Sequence, residues 1–275
     1  MDEVERTSIE RWRAVRLIEI KENGRTRPLD VSCEPEDAEE NEESNTTQRR
    51  YVVKTLGAEV TEQSLFNELF GGMLAGLLGV PSPPPAIILI DQEFIAAHEL
   101  VLRRAEREVL VGLAIGSRHL EPLHSVTVDS MFTTPPMIEQ AARLFALDML
   151  IQNPDRRRSK PNCAFHQKNL TAFDFELGFS FLQLLPSMAT FFPPDKVDEK
   201  MARDHVLFEA LRRKTAIFGG FLKDLEGLSD GIMEEWVRAT PGSWQRNASR
   251  ITDHIRQVRE HAPAFGRSLE MVLQG

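Results

Sequence analysis

The sequence predicts an α+β fold of two lobes, a strand-rich N-terminal lobe over residues 1–117 and a mainly helical C-terminal lobe over residues 118–275. Short runs of β-branched and aromatic residues alternate with turn signals in the first part, which is typical of strands. Residues 200–273 instead repeat apolar residues at spacings of three and four, the period of a helix. The length of 275 residues allows a well-buried core in such a fold.

The N-terminal lobe is expected to hold several short strands around one long helix. Residues 9–21 fit a helix or a strand, although the alternation within 14–20 favours a strand. The long helix is expected over 62–78, with Thr61 as its N-cap, and a further helix over 96–108. The other strand candidates are residues 29–33, 49–57 and 86–90, and 109–117 fits a strand or a crossing between the lobes.

An acidic segment interrupts these strands at residues 34–44. It carries seven acidic residues between Glu34 and Glu43. Such a density of like charge is typical of a solvated, mobile loop.

In the C-terminal lobe, residues 135–153 predict an apolar helix with Pro135 and Pro136 in its first turn. Two short extended pieces are expected at 163–166 and 170–175. The segment 204–225 has the apolar spacing of a helix.

Composition and charge exclude several classes of protein. The net charge of −9 argues against broad binding of nucleic acid, which depends on Lys and Arg neutralising phosphates. The chain has neither an apolar run of 18 residues nor an apolar N-terminal segment, so we expect no membrane span and no secretory signal. Cys33 and Cys163 form no close pair, which predicts neither a disulfide framework nor a zinc site and makes a reducing cytoplasm the expected location. The motifs GxxxxGK[ST], GxGxxG, HExxH and GxSxG do not occur.

The segment "IQNPDRRRSKPNCAFHQKNLTAFDFELGF", residues 151–179, carries the candidate chemistry. Asp155 follows a predicted buried helix, where rigid neighbours would hold a catalytic carboxylate in position. Asn162 could supply an uncharged oxygen to Mg²⁺. Asp174 lies between Phe173 and Phe175, and a carboxylate buried there needs compensation by a metal or by structural hydrogen bonds.

Two further candidates precede this segment. Lys54 ends the predicted strand "YVVK" and could hold phosphates, or it could be an ordinary solvent-facing lysine. Glu68 lies at the edge of the apolar face of the predicted helix and could pair with Lys54, with Glu62 as the fallback partner. Four cations beside Asp155 could attract a phosphorylated or acidic substrate or could face solvent: Arg156, Arg157, Arg158 and Lys160.

The order of these motifs resembles a known family. "RTRPL", "YVVK", "NELFGGMLAGLLGVPSP", "LIQNPDRRRSKPN" and "AFDFELGF" follow one another as in HipA-like kinases, in particular a compact bacterial branch that keeps only the kinase-like domain. The resemblance covers roughly residues 20–182. It implies a two-lobed protein-kinase-like fold, binding of ATP with Mg²⁺, and phosphorylation, usually of Ser or Thr in a protein.

The resemblance also implies roles for individual residues. Lys54 would contact the nucleotide phosphates and Glu68 would pair with it. Asp155 would be the catalytic base, and Asn162 and Asp174 would bind Mg²⁺. A protein substrate or partner is expected, with no direct contact to nucleic acid or membrane.

Two departures from the pattern of protein kinases keep other functions open. Lys160 stands five residues after Asp155, where protein kinases commonly have asparagine, and the asparagine comes at Asn162. No glycine-rich phosphate loop precedes "YVVK", and the acidic segment 34–44 lies near where one is expected. A pseudokinase that binds and regulates another protein is therefore the alternative, together with a kinase of small molecules. A helical adaptor without a site is a third possibility, which the order of the five candidate residues disfavours.

Overall fold

The computed structural model describes residues 8–22, 26–37, 48–126, 132–183 and 196–275. The N-terminal part is a closed five-stranded barrel with the strand order β1-β2-β3-β5-β4. Neighbouring strands pair antiparallel, except that β1 and β4 pair in parallel and close the barrel. The strands are β1 (Glu10–Ile20), β2 (Leu29–Pro35), β3 (Arg49–Lys54), β4 (Pro85–Ile90) and β5 (Gly112–Arg118). The ambiguous segment 9–21 is thus a strand.

Alternation along the strands decides which residues face the interior of the barrel. Val31 on β2 and Val53 on β3 are fully buried among the other apolar residues of the barrel core. Because successive side chains of a strand point to opposite faces, Val52 and Lys54 point away from this core. Lys54 is thereby directed toward the helical part of the molecule.

Two helices connect the strands of the barrel, namely α1 (Glu62–Leu77) and α2 (Gln92–Arg104). The α1 prediction is confirmed, because Thr61 is its N-cap and accepts a hydrogen bond from the backbone N–H of Ser64 at 3.1 Å. Helix α2 begins four residues before the predicted segment, because Asp91 caps it by accepting from the N–H of Phe94 at 2.7 Å.

The C-terminal part is mainly helical, as predicted. A small sheet of β6 (His124–Ser125), β7 (Cys163–His166) and β8 (Asn169–Ala172) flanks α3 (Pro135–Leu150). The remaining helices are α4 (Glu199–Asp204), α5 (Phe208–Leu211), α6 (Gly219–Glu226), α7 (Asp230–Ala239), α8 (Ala248–Glu260) and α9 (Ala262–Gln274), with 3-10 turns at Ser180–Gln183 and Gly242–Asn247. The helix predicted over 204–225 is wrong as one element, because Arg213 and Ala216 take left-handed backbone angles, φ 64° and 55°, that end a helix.

The described residues form two hydrophobic cores. The smaller core fills the barrel, and the larger core runs through the C-terminal part and includes the buried face of α1. Phe70 of α1, for example, packs edge-on against Trp236 of α7 with ring centroids 5.6 Å apart. Helix α1 therefore joins the barrel to the helical part, and the boundary between residues 117 and 118 stays a prediction.

The acidic segment differs from the predicted loop where the structure describes it. Glu34 and Pro35 belong to β2, and Glu34 pairs with Arg13 of β1. Glu36 pairs with Arg11 at 2.6 Å. Residues 38–44 lie outside the described residues.

In the described ranges, every helix is too short or too polar to cross a bilayer.

Candidate functional site

A cleft of about 1230 Å³ lies between the barrel and the helical part. Strands β3 and β5 form one wall, and the loops before and after β7 and β8 form the other. All five residues predicted to carry chemistry line this cleft: Lys54, Glu68, Asp155, Asn162 and Asp174. The fold thus brings together residues up to 120 positions apart in sequence.

Lys54 contacts three carboxylates of the cleft. Its Nζ donates to Glu68 Oε2 at 3.0 Å and to Asp174 Oδ1 at 2.6 Å, and it lies 3.1 Å from Glu176 Oε2. Burial alone would lower the pKa of Lys54, but the attraction of the three carboxylates outweighs it and raises the pKa. Lys54 is therefore a charged and fixed ammonium, and the solvent-facing alternative is wrong.

Glu68 orients this ammonium from α1. The side chain is buried, and Oε2 also accepts from the backbone N–H of Phe175 at 2.8 Å. Burial raises the pKa of Glu68, while Lys54 opposes the shift. Glu62, the fallback partner, is exposed at the start of α1, so Glu68 is the residue that pairs with Lys54.

Asp174 connects the barrel lysine to the loop after α3. Its Oδ1 accepts from Lys54, and its Oδ2 accepts from Lys160 at 3.0 Å. Burial alone would raise the pKa of Asp174, but Lys54 and Lys160 lower it to about 2. The residue is held in the left-handed region, φ 65°, which turns its carboxylate into the cleft.

The chain after Asp174 is fixed against α1. The Asn67 amide donates to the carbonyls of Glu176 and Gly178 at 3.0 and 2.9 Å. Phe175 is buried against Gly71, where an added Cβ would lie 2.7 Å from the Cβ of Phe175. The close fit explains how α1 and the carboxylates of this turn keep one relative position.

Asp155 is held by its own loop. Its backbone N–H donates to Asn153 Oδ1 at 3.2 Å, and its Oδ2 accepts from Asn162 Nδ2 at 3.1 Å and from Lys160 Nζ at 2.5 Å. Only 5% of the Asp155 side chain is exposed, on the side that faces the cleft. Asn162 has φ 45°, so the loop turns sharply there and brings the amide back to Asp155.

Arg156 corrects the prediction that all four cations face substrate or solvent. The side chain is completely buried and its Nε donates to Asp148 Oδ2 at 2.5 Å. Its NH1 donates to the carbonyls of Asn162 and Phe173. Arg156 thus holds the loop of Asp155 and Asn162 against the segment before Asp174, because one guanidinium donates to both.

Arg157 and Arg158 do face outward, with 55% and 48% of their side chains exposed. Arg157 lies 3.4 Å from Asp155 Oδ1, and Arg158 pairs with Glu209 at 3.0 Å. Together with Lys160, which is 43% exposed, these two side chains are the ones of this cluster that a substrate can reach directly.

Sequence reasoning missed several residues of the site. Glu176, the third carboxylate at Lys54, follows Phe175 directly, but no spacing rule separates it from a surface glutamate. Asp148 and His205 are both buried, and His205 Nε2 lies 2.9 Å from Asp148 Oδ2. Their contact joins segments 57 residues apart, so only the buried position of an aspartate inside an apolar helix hinted at it.

The turn between β1 and β2 also reaches the cleft, through Lys21, Thr26 and Pro28. This turn directly precedes β2, whereas Pro35 is the last residue of β2. Because a strand rises about 3.3 Å per residue, the two ends of β2 lie about 20 Å apart. Residues 34–37, the described part of the acidic segment, are therefore remote from the part of the cleft that this turn reaches.

The oxygen atoms of the site suit a hard cation. Asp155, Asn162 and Asp174 offer two carboxylates and one amide, which are ligand types of Mg²⁺. Lys160 Nζ lies between Oδ2 of Asp155 and Oδ2 of Asp174, so these two oxygens already converge on one positive charge. Over the described ranges, no three His, Cys, Asp or Glu side chains form a metal site by themselves, so further ligands would come from phosphates and water.

The cleft also has apolar lining residues, namely Val52, Pro83, Ile115, Leu120 and Leu123. Apolar walls with a few polar groups are typical of pockets that bind small molecules and cofactors.

A lysine on a strand, its glutamate partner on the next helix, and two aspartates across a cleft define a kinase. The comparisons agree with this class. The family model described as HipA-like kinase matches residues 16–265, so the chain belongs to the HipA-like kinase family.

One solved structure supports the fold. The fold is similar to that of CtkA, a proinflammatory kinase of Helicobacter pylori. The TM-score is 0.50 and the sequence identity 11%, over 93% of this chain and 96% of CtkA. A MAP kinase of Leishmania major, LmaMPK10, matches with a TM-score of 0.29 and 11% identity over 95% of this chain and 81% of its own. No curated protein matches the sequence.

Proposed function

We propose that this kinase uses ATP with Mg²⁺ to phosphorylate a serine or threonine hydroxyl of a protein. The observation that carries the proposal is the convergence of Lys54, Asp155 and Asp174 on one cleft, with Lys54 Nζ 2.6 Å from Asp174 Oδ1. Phosphoryl transfer needs positioning and charge stabilisation more than covalent chemistry, and these residue types supply both.

The binding roles follow from the contacts. The apolar residues of the cleft, such as Val52 and Ile115, bind the adenine ring. Lys54, which Glu68 holds in position, binds the phosphates. Asn162 and Asp174 would hold Mg²⁺, because both line the cleft and carry side-chain oxygens of the type that Mg²⁺ binds. When bound, Mg²⁺ screens the negative charge of the phosphates during transfer.

The chemical role falls to Asp155. The oxygen of the acceptor hydroxyl forms a bond to the terminal phosphorus while the bond to the bridging oxygen of ATP breaks. Asp155 orients the hydroxyl and accepts its proton, and Asn153 and Asn162 hold Asp155 in place meanwhile.

A protein acceptor is supported by what surrounds Asp155. Arg157 is exposed and lines the cleft, and Arg158 is exposed in the same loop, so the two side chains would attract an acidic or phosphorylated polypeptide. The boundary between the lobes is proposed at residues 117 and 118, since β5 ends at Arg118 and the residues that follow it, among them His119 and Leu120, line the cleft.

Two aspartate variants test the proposal. Asp155→Asn is expected to keep binding of a non-hydrolysable ATP analogue but to lower the rate of phosphate transfer by at least about 100-fold, because the proton acceptor is lost. Asp174→Asn is expected to lose the Mg²⁺-dependent part of nucleotide binding as well as turnover. Calorimetry measures binding, and ATP hydrolysis together with mass spectrometry of the protein measures transfer.

Asp253→Asn is the matched control, because Asp253 lies on α8 outside the cleft and pairs with Arg256 at 2.9 Å. It is expected to retain binding and turnover. Full turnover in both cleft variants would contradict the proposal. Nucleotide binding without turnover in the unmodified chain would support the regulatory pseudokinase instead, and transfer to small alcohols alone would support a small-molecule kinase.

A further inference from the structure

Lys160 lies between two acidic side chains of the cleft. Its Nζ donates to Asp155 Oδ2 at 2.5 Å and to Asp174 Oδ2 at 3.0 Å. Burial alone would lower the pKa of Lys160, but its bonds to Asp155 and Asp174 raise it, so the side chain carries a full charge at neutral pH. One ammonium therefore links the proposed base to the proposed metal ligand.

This link occupies the oxygens that a divalent cation would need. Asp155 Oδ2 also accepts from Asn162 Nδ2 at 3.1 Å, and Asp174 Oδ1 is taken by Lys54. Asp155, Asn162 and Asp174 therefore all have hydrogen-bond partners within the protein. A cation reaches Asp174 Oδ2 only if the Lys160 ammonium moves away.

Lys160 is built so that its side chain can move while its backbone stays. The backbone N–H of Lys160 donates to the Arg157 carbonyl, and the N–H of Arg157 donates to the Lys160 carbonyl, both at 3.0 Å. The side chain is 43% exposed and carries its charge on a flexible four-carbon stem. The ammonium can swing into the cleft without any change in the loop.

We propose that Lys160 is an internal counter-ion that competes with the divalent cation for Asp174, so that the cation enters together with nucleotide phosphates. This inference rests on the proposed kinase function. Phosphates supply acceptors for the displaced ammonium and ligands for the cation, so both charges remain paired. Without nucleotide, a cation would have to displace Lys160 into water, and its binding is weak.

The test measures metal binding without nucleotide or turnover. Mn²⁺ replaces Mg²⁺, and the loss of the electron paramagnetic resonance signal of free Mn²⁺ gives the dissociation constant. Lys160→Met is expected to bind Mn²⁺ at least about tenfold tighter than the unmodified chain, because a positive charge a few ångströms from the cation is removed. Adding Asp174→Asn to Lys160→Met is expected to abolish the gain.

Two variants separate the bridge from a general charge effect. Arg157→Met removes one positive charge from the same loop, but Arg157 contacts Asp155 at 3.4 Å and is not bonded to Asp174. We expect its Mn²⁺ affinity to rise much less. Lys160→Arg keeps the charge and is expected to bind Mn²⁺ as weakly as the unmodified chain.

The outcomes decide the inference independently of activity. Equal Mn²⁺ affinity in the unmodified chain and in a folded Lys160→Met, checked by its thermal unfolding, would overturn it. An equal gain in Arg157→Met would overturn it too, since the bridge would then have no special role. A gain confined to Lys160→Met supports the inference even if the chain proves unable to transfer phosphate, whereas turnover with unchanged metal affinity retains the kinase and rejects the counter-ion.

Discussion

At the scale of single residues, one ammonium balances three buried carboxylates. Lys54 lies within 3.1 Å of Glu68, Asp174 and Glu176, and 12% of its side chain is exposed. Removal of one partner from such a buried cluster leaves charges that neither water nor a counter-ion compensates. The residue that would bind phosphate is therefore also needed for stability.

Lys54→Met is expected to lower the free energy of unfolding at pH 7 by about 3 kcal/mol and to abolish nucleotide binding. The loss should shrink as the pH falls from 7 to 5. Without the ammonium the pKa values of the carboxylates rise, and a carboxyl with a raised folded pKa favours folding below that pKa. Thermal unfolding at both pH values and calorimetry with an ATP analogue measure the two effects.

Lys223→Met, at an exposed position of α6, is the control and should change neither quantity. In the unmodified chain, acidification affects the contribution of Asp174 in the opposite direction, because it removes stability. Asp174 has its pKa lowered to about 2, so its stabilising contribution is complete above its ordinary value of 3.8 and is lost as the pH falls through 2. If the difference in unfolding free energy between Lys54→Met and the unmodified chain were the same at pH 5 as at pH 7, this account would be contradicted.

The site was predictable residue by residue only in part. Lys54, Glu68, Asp155, Asn162 and Asp174 could be named because each combines a polar type with a defined place beside an apolar element. The bridge made by Lys160 could not be predicted, because it depends on where the Asp174 turn lies 14 residues further along the chain. The burial of Arg156 could not be predicted either, because the sequence has three identical residues in a row. Only the packing of the folded chain decides which of the three arginines is buried.

At the scale of elements, α1 controls the geometry of the cleft. It carries Glu68 and Asn67 toward the turn after Asp174, and Gly71 allows the backbone to approach Phe175. A helix that presents such different groups on one face must keep its distance from the turn to within a few tenths of an ångström. Glycine is tolerated there, although it weakens a helix, because a Cβ would meet Phe175.

Gly71→Ala is expected to destabilise the fold by about 1–3 kcal/mol, because its Cβ would lie 2.7 Å from Phe175 Cβ and overpack the core. The displacement of α1 should also separate Glu68 from Lys54 and weaken nucleotide binding. Thermal unfolding and calorimetry measure the two consequences.

Gly76→Ala provides a control on the same helix, since its added Cβ would meet no atom within 4 Å. It is expected to stabilise the protein by about 0.5–1 kcal/mol through helix propensity alone, with nucleotide binding unchanged. If both alanine variants behaved alike, the contact with Phe175 would not position α1.

Element prediction succeeded where the chain signals its own boundaries. Thr61 capped α1 as expected, and α1 ends just before Gly79, which takes the left-handed conformation, φ 67°, that glycine favours. It failed between α5 and α6, because apolar spacing continues there while the backbone turns at Arg213, whose N–H donates to the Leu273 carbonyl at 3.0 Å. That bond joins segments 60 residues apart, and no local pattern contains it.

At the scale of the whole molecule, the barrel and the helical part are held together by α1 and by buried polar contacts. The Asn247 amide donates to Gln63 Oε1 at 2.6 Å, and the Gln63 amide donates to Asn67 at 2.8 Å. The contacts run from the C-terminal 3-10 turn through α1 to the turn after Asp174. The two-lobed fold was predictable from composition and periodicity, but this route was not, because it depends on how α1 sits on both cores.

The helical part holds the loop of Asp155 through a buried network. Asp148 at the end of α3 accepts from Arg156 and from His205 Nε2, and His205 Nδ1 accepts the N–H of Leu207 at 3.1 Å. Burial alone would raise the pKa of Asp148, but Arg156 and His205 lower it. Burial also lowers the pKa of His205, against the pull of Asp148, so the ring is neutral in the folded state at pH 7.

This network makes stability depend on pH near neutrality. An unfolded histidine binds a proton below its ordinary pKa of 6.5, whereas folded His205 does so only at lower pH. The stabilising contribution is thus present above pH 6.5 and is lost as the pH falls, by up to about 1.4 kcal/mol per pH unit. His254 adds a second share, since burial lowers its pKa as well and its Nε2 lies 2.8 Å from the Leu150 carbonyl.

His205→Gln is therefore expected to reduce the difference in unfolding free energy between pH 7.5 and pH 5.5, and the double variant with His254→Gln should reduce it further. Glutamine can still donate a hydrogen bond to Asp148 but does not titrate, so the change in slope reports the proton alone. His124→Gln, at an exposed position of β6, should keep the full slope. If His205→Gln and the unmodified chain lost equal stability on acidification, His205 would be charged when folded, and Asp148 would hold two cations instead of one.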